Sequence, residues 1–144
     1  MSIKLNCDMG ESFGIWKMGL DEEIMPYIDM ANLACGFHAG DALIMNKSVL
    51  LAKKNNVTIG AHPGYQDLVG FGRRSISCSN EEISAIVLYQ TGALNAFCKA
   101  HDTSVSYVKP HGGLYHDMMN NENVFKAILS AISSYDKNIK LMIL

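Results

Sequence analysis

Short apolar runs alternate along this chain with longer stretches of helical periodicity, and four of those runs end abruptly in ionisable or amide side chains. Ile3-Lys4-Leu5-Asn6-Cys7 runs into Asp8-Met9-Gly10-Glu11, and Ala31-Asn32-Leu33-Ala34-Cys35 into Gly36-Phe37-His38-Ala39-Gly40-Asp41. Val57-Thr58-Ile59-Gly60-Ala61 ends in His62-Pro63-Gly64, and Val105-Ser106-Tyr107-Val108 in Lys109-Pro110-His111-Gly112-Gly113. Strand–helix alternation builds a parallel sheet through right-handed crossovers. In such a sheet, open or closed, the carboxyl ends of all strands share one face, and ligands bind there. Segments distant in sequence would therefore deliver carboxylates, histidines and a lysine to one rim.

The strands are expected near 3–7, 30–35, 57–61, 104–109 and 139–144. Between them lie a short helix near 20–27 and a second helix N-capped by Asp41, with Leu43, Ile44, Leu50 and Leu51 at heptad spacing. Ser79 and Glu82 read as a capping box. Ile83, Ile86, Val87, Leu94 and Phe97 then supply the stripe of a helix packed on a sheet. Phe125, Ile128, Leu129 and Ile132 mark another helix over 121–135. No linker or domain boundary interrupts residues 1–144, which read as one α/β domain.

Periodicity does not separate an open sheet from a barrel. Polar Asn6 and Asn32 inside strands favour a barrel mouth, where they could reach a ligand. A complete barrel of this kind needs about 250 residues, whereas the chain has 144 and closes on its fifth strand. The expectation is a C-terminally truncated barrel, or one whose missing half comes from another copy or another chain.

Net charge is −2, with 18% charged residues and no basic block, so nucleic acid and anionic membrane are not expected partners. The longest apolar runs fall well short of the roughly 20 residues that span a bilayer. Residues 1–6 lack an apolar signal core, which gives a cytoplasmic expectation. The four cysteines then read as reduced, buried thiols, since none shows paired zinc-site spacing.

Asp8 and Glu11 could hold a divalent cation or act as general base. His38 and Asp41 are placed to share one cleft, the carboxylate orienting the imidazole; Asp41 could equally be only an N-cap. His62 is held extended by Pro63, and His111 follows the next strand. Asp8, His38 and His62 are the candidate metal ligands, suiting zinc, manganese or iron. Lys109 at an apolar strand end could meet an anionic ligand. The long glycine-punctuated loop 62–78 carries Arg73 and Arg74, which could clamp phosphate or carboxylate. His101 and His116 look incidental.

At these same stretches the sequence resembles the LamB/YcsF family, that of the A-subunit of prokaryotic 5-oxoprolinase. The matching segments are Leu5–Glu11, Ala31–Asp41, Ile59–Tyr65, Gly70–Arg74 and Val108–Tyr115, in family order. The resemblance implies a seven-stranded barrel of the glycoside hydrolase/deacetylase type, of which this chain would hold the first five strands. It also implies ATP-dependent opening of 5-oxoproline to glutamate with partner subunits B and C, ATP being accompanied by Mg²⁺. Members of the family continue well beyond residue 144. Two rival readings stay open: an ATP-independent metal hydrolase or deacetylase of the same superfamily, and a non-enzymatic fragment that dimerises or binds partners.

Overall fold

The computed structural model describes residues 3–143; Met1, Ser2 and the last residue of the expected fifth strand, Leu144, lie outside that range. Five parallel strands form a single sheet: β1 (Asn6–Met9), β2 (Met30–Ala34), β3 (Thr58–His62), β4 (Val105–Val108) and β5 (Lys140–Leu141). Their spatial order is the order of the sequence, β1-β2-β3-β4-β5. A doubly wound sheet reverses direction at a switch point. Without that reversal, right-handed crossovers place every helix on the same side of the sheet. This is the arrangement of a partial (β/α) barrel.

The helices are α1 (Asp21–Ile24), followed by a 3₁₀ turn over Met25–Tyr27, then α2 (Ala42–Lys54), α3 (Asn80–Ala100), α4 (Gly112–Asn120) and α5 (Glu122–Tyr135). The capping box at Ser79 and Glu82 is formed as expected. No helix among the described residues is long and apolar enough to cross a membrane.

Strand alternation sorts the side chains into two populations. Met9, Leu33, Ala61 and Val108 stand in register across four strands and are fully buried. They join Val49, Leu94 and Ile128 from the helices in one apolar core. The next row toward the amino ends, Asp8, Asn32, Gly60 and Tyr107, points to the opposite, inner face and is largely polar. A single residue of register slip would exchange the two populations.

The structure corrects three details of the sequence reading. β1 begins at Asn6, so Asp8 lies within the strand; Ile3 and Leu5, expected to be strand residues, are exposed. On α2 the heptad leucines face out: Leu43 and Leu50 are exposed, and Met45, Val49 and Ala52 make the buried stripe. The 112–120 segment, expected to be loop, is α4. Its Gly112-Gly113 start argues against a helix on propensity, but the fold requires it: Gly112 has φ +47°, and a Cβ there would lie 2.6 Å from the Gly72 carbonyl oxygen. Gly113 N–H donates to that same carbonyl at 2.7 Å.

Candidate active site at the carboxyl ends of the strands

Asp8 projects from β1 and meets Lys109, the residue just past β4 and 101 positions away in sequence. The Lys109 ammonium donates to Asp8 Oδ1 at 2.7 Å, and the Asn32 amide donates to the same oxygen at 2.7 Å. The other carboxylate oxygen lies 3.5 Å from His62 Nε2. Burial opposes the charge on Asp8, but the bonds from His62, Lys109 and Asn32 outweigh it and hold the carboxyl well below the usual carboxylate range. Asp8 is therefore a permanent anion.

Asn32 is fully buried, and every polar atom of its amide is engaged. It donates to Asn6 Oδ1 at 2.9 Å as well as to Asp8, and its own oxygen accepts the Tyr107 hydroxyl at 2.6 Å. Asn32, expected to touch ligand, instead positions Asp8. Tyr107 was not singled out from the sequence, where it reads as an ordinary apolar strand residue.

Behind this pair stand three buried imidazoles. His62 Nε2 lies 3.0 Å from His111 Nδ1, and His38 stacks on His111 with 3.7 Å between ring centroids. His38 Nε2 lies 3.3 Å from Glu11 Oε1. Burial and the neighbouring imidazoles push His111 down to about 4, and burial also lowers His38 against the pull of Glu11. One ligand atom from each of Glu11, His38, His62 and His111 falls within a 4.8 Å span. Three imidazoles with a carboxylate form a donor set that could hold a divalent transition ion. Glu11 completes this grouping, and Asp8, expected as a ligand, faces the cavity beside it.

Asn6, Asp8, His62, Arg73, Lys109 and His111 all line a cavity of about 490 Å³, a volume suited to a small metabolite. Two expected site residues take other roles. The Asp41 carboxylate caps α2, accepting from Leu43 and Ile44 N–H at 2.8 and 2.9 Å, and it also takes Gly14 N–H at 2.8 Å. It does not orient His38; Glu11 does. Arg74 is engaged by Asp67 in a two-pronged ion pair within the 62–78 loop, and Arg73 is the arginine at the cavity.

A model of the LamB/YcsF family matches residues 3–144. The chain belongs to the LamB/YcsF family. It is 63% identical over 142 residues to a Vibrio vulnificus protein named as a 5-oxoprolinase A-subunit, covering 99% of this chain and 57% of that one. A Pseudomonas aeruginosa relative, named as the third 5-oxoprolinase A-subunit of that organism, is 58% identical over the same share of each chain. The crystal structure of a lactam utilization protein from Thermus thermophilus superimposes with a TM-score of 0.98 at 47% identity, covering all of this chain and 58% of its own. This LamB/YcsF chain thus spans little more than half the length of the relatives it matches.

Proposed function

We propose that this chain contributes the hydrolytic rim of a 5-oxoprolinase, which opens the lactam of 5-oxoproline to glutamate at the expense of ATP. The observation that carries the reading is the Asp8–Lys109–His62 constellation. Three strand ends place an anion, a cation and an imidazole at one small-molecule cavity, in a chain resembling proteins named for this activity.

A five-membered lactam is a resonance-stabilised amide and resists attack by water. Transfer of the γ-phosphoryl group of Mg²⁺-bound ATP to the amide oxygen makes the ring carbon electrophilic. Water then adds to that carbon and the C–N bond breaks. The nitrogen leaves as the amine, and the resulting acyl phosphate hydrolyses to glutamate and phosphate. In this scheme Lys109, held by Asp8, and Arg73 face the phosphoryl oxygens and offset their charge. Asp8 ionises too readily to be an effective base, so its role is to fix Lys109. His62 and His111 form the side of the cavity that activates water, with Glu11 and His38 behind them. The reaction belongs in the cytoplasm, with subunits B and C completing the complex and handling nucleotide.

The test is 5-oxoproline turnover by the reconstituted complex carrying Asp8→Ala, His62→Ala or Lys109→Ala. Each is expected to lower the rate by about a hundredfold or more with the circular dichroism spectrum unchanged; near-normal rates in all three would defeat the assignment. The grouping of Glu11 with three histidines favours one rival, a metal-dependent hydrolase that needs no nucleotide. Turnover of an amide substrate without ATP would select it.

A further inference from the structure

The hydrogen bonds around His62 and His111 fix their protons. His62 Nδ1 lies 2.5 Å from the Lys109 carbonyl oxygen, and His111 Nε2 lies 2.8 Å from that of Phe71. A carbonyl only accepts, so both of these nitrogens carry hydrogen. In neutral imidazoles the remaining nitrogens, His62 Nε2 and His111 Nδ1, are then bare lone pairs, and they face each other at 3.0 Å. Two lone pairs at that distance repel unless a cation lies against both. Backbone carbonyls that orient the far nitrogens of histidines are also the usual outer shell of a metal site.

We propose that Glu11, His38, His62 and His111 bind one divalent transition-metal ion of the zinc class. Ligands about 2.0–2.1 Å from a tetrahedral zinc stand roughly 3.3 Å apart. The His62–His111 pair at 3.0 Å and the His38–Glu11 pair at 3.3 Å already have that spacing, and the four atoms need to contract only from their 4.8 Å span. The His38 and His111 rings are parallel, 6° apart, so His38 must turn for both to point at one ion. It is free to do so: His38 Nδ1 is buried without a partner, and its other nitrogen approaches only Glu11, itself a ligand. Three imidazoles with one carboxylate suit zinc, cobalt, iron or manganese better than magnesium or calcium. His62 and His111 also line the 490 Å³ cavity, so the ion would stand at its wall.

This deepens the functional reading by naming what the imidazole side holds, but its test needs no turnover. The protein at its native length is purified without chelator, dialysed against metal-free buffer and assayed for bound metal. The stripped protein is then titrated with Co²⁺ and Zn²⁺. Retention of about one ion per chain, intense visible Co²⁺ bands of tetrahedral type, and at least about tenfold weaker binding in folded His111→Ala or His62→Ala are expected. If the histidine variants do not fold, the partly exposed Glu11→Gln decides, with the same tenfold loss expected. A folded wild type that neither retains an ion nor develops cobalt bands overturns the proposal. So do folded variants that bind metal as tightly as wild type. An ATP-dependent rate that survives complete metal removal overturns it too, while sparing the lactam-opening assignment.

Discussion

The Tyr107 hydroxyl donates to Asn32 Oδ1 at 2.6 Å by passing over Gly60, the strand residue between them. A Cβ on Gly60 would be driven into the Tyr107 ring. The side chain missing at one strand thus lets a tyrosine two strands from Asn32 lock the amide that in turn holds Asp8.

Gly60→Ala should therefore destabilise the fold by about 1–3 kcal/mol, the usual cost of overpacking. Tyr107→Phe leaves a buried carbonyl of Asn32 unpaired and should cost about 1–3 kcal/mol. Urea unfolding of both variants checks the pair. Equal stability of Gly60→Ala and wild type would mean that Tyr107 can lie elsewhere.

Asp41 and Asp8 should part company on mutation. Asp41→Ala removes the cap of α2 and is expected to cost about 1 kcal/mol, with turnover affected far less than by Asp8→Ala. Parallel stability and rate measurements on the two variants separate the helix cap from the site residue.

The Asp67–Arg74 pair should report on acid. The hydrogen bond from Arg74 beside Asp67 holds that carboxyl at about 2 in the fold, against roughly 3.9 for a free aspartate. The folded value lies below the unfolded one, so the pair's contribution is complete above about pH 4 and is lost as pH falls toward 2. Asp67→Asn should be less stable than wild type at neutral pH, and the gap should close across that window. A gap that stays constant down to the lower limit would show that the charge on Asp67 is not what matters.

Thiol reactivity should divide by depth. Burial raises Cys35 to about 12 and Cys98 to about 11, so neither presents thiolate near neutral pH. Cys7 and Cys78 are only half buried. Mass-resolved alkylation of the native protein should label Cys7 and Cys78 first and leave Cys35 and Cys98 until unfolding.

Strand–helix alternation was legible because it follows from local periodicity: α3 and α5 bury the stripes that the spacing marks, and all five strands lie within a few residues of their expected places. α2 was located correctly but faced the wrong way, since Leu43 and Leu50 look like core residues until the direction of the sheet is known. α4 was hidden by its two glycines, which serve the approach of the 72–74 loop and not the helix.

By itself the sequence determined that Asp8, His38, His62, Lys109 and His111 belong to one rim, because a parallel sheet carries all its strand ends on the same side. Tertiary structure alone decided who meets whom. Glu11, not Asp41, faces His38; Lys109 meets Asp8; Arg74 goes to Asp67 and leaves Arg73 at the cavity; and Tyr107 reaches Asn32 over a glycine. These partnerships depend on distances of a few ångströms between strands far apart along the chain. Those distances are set by sheet register and loop path, which local residue patterns do not encode.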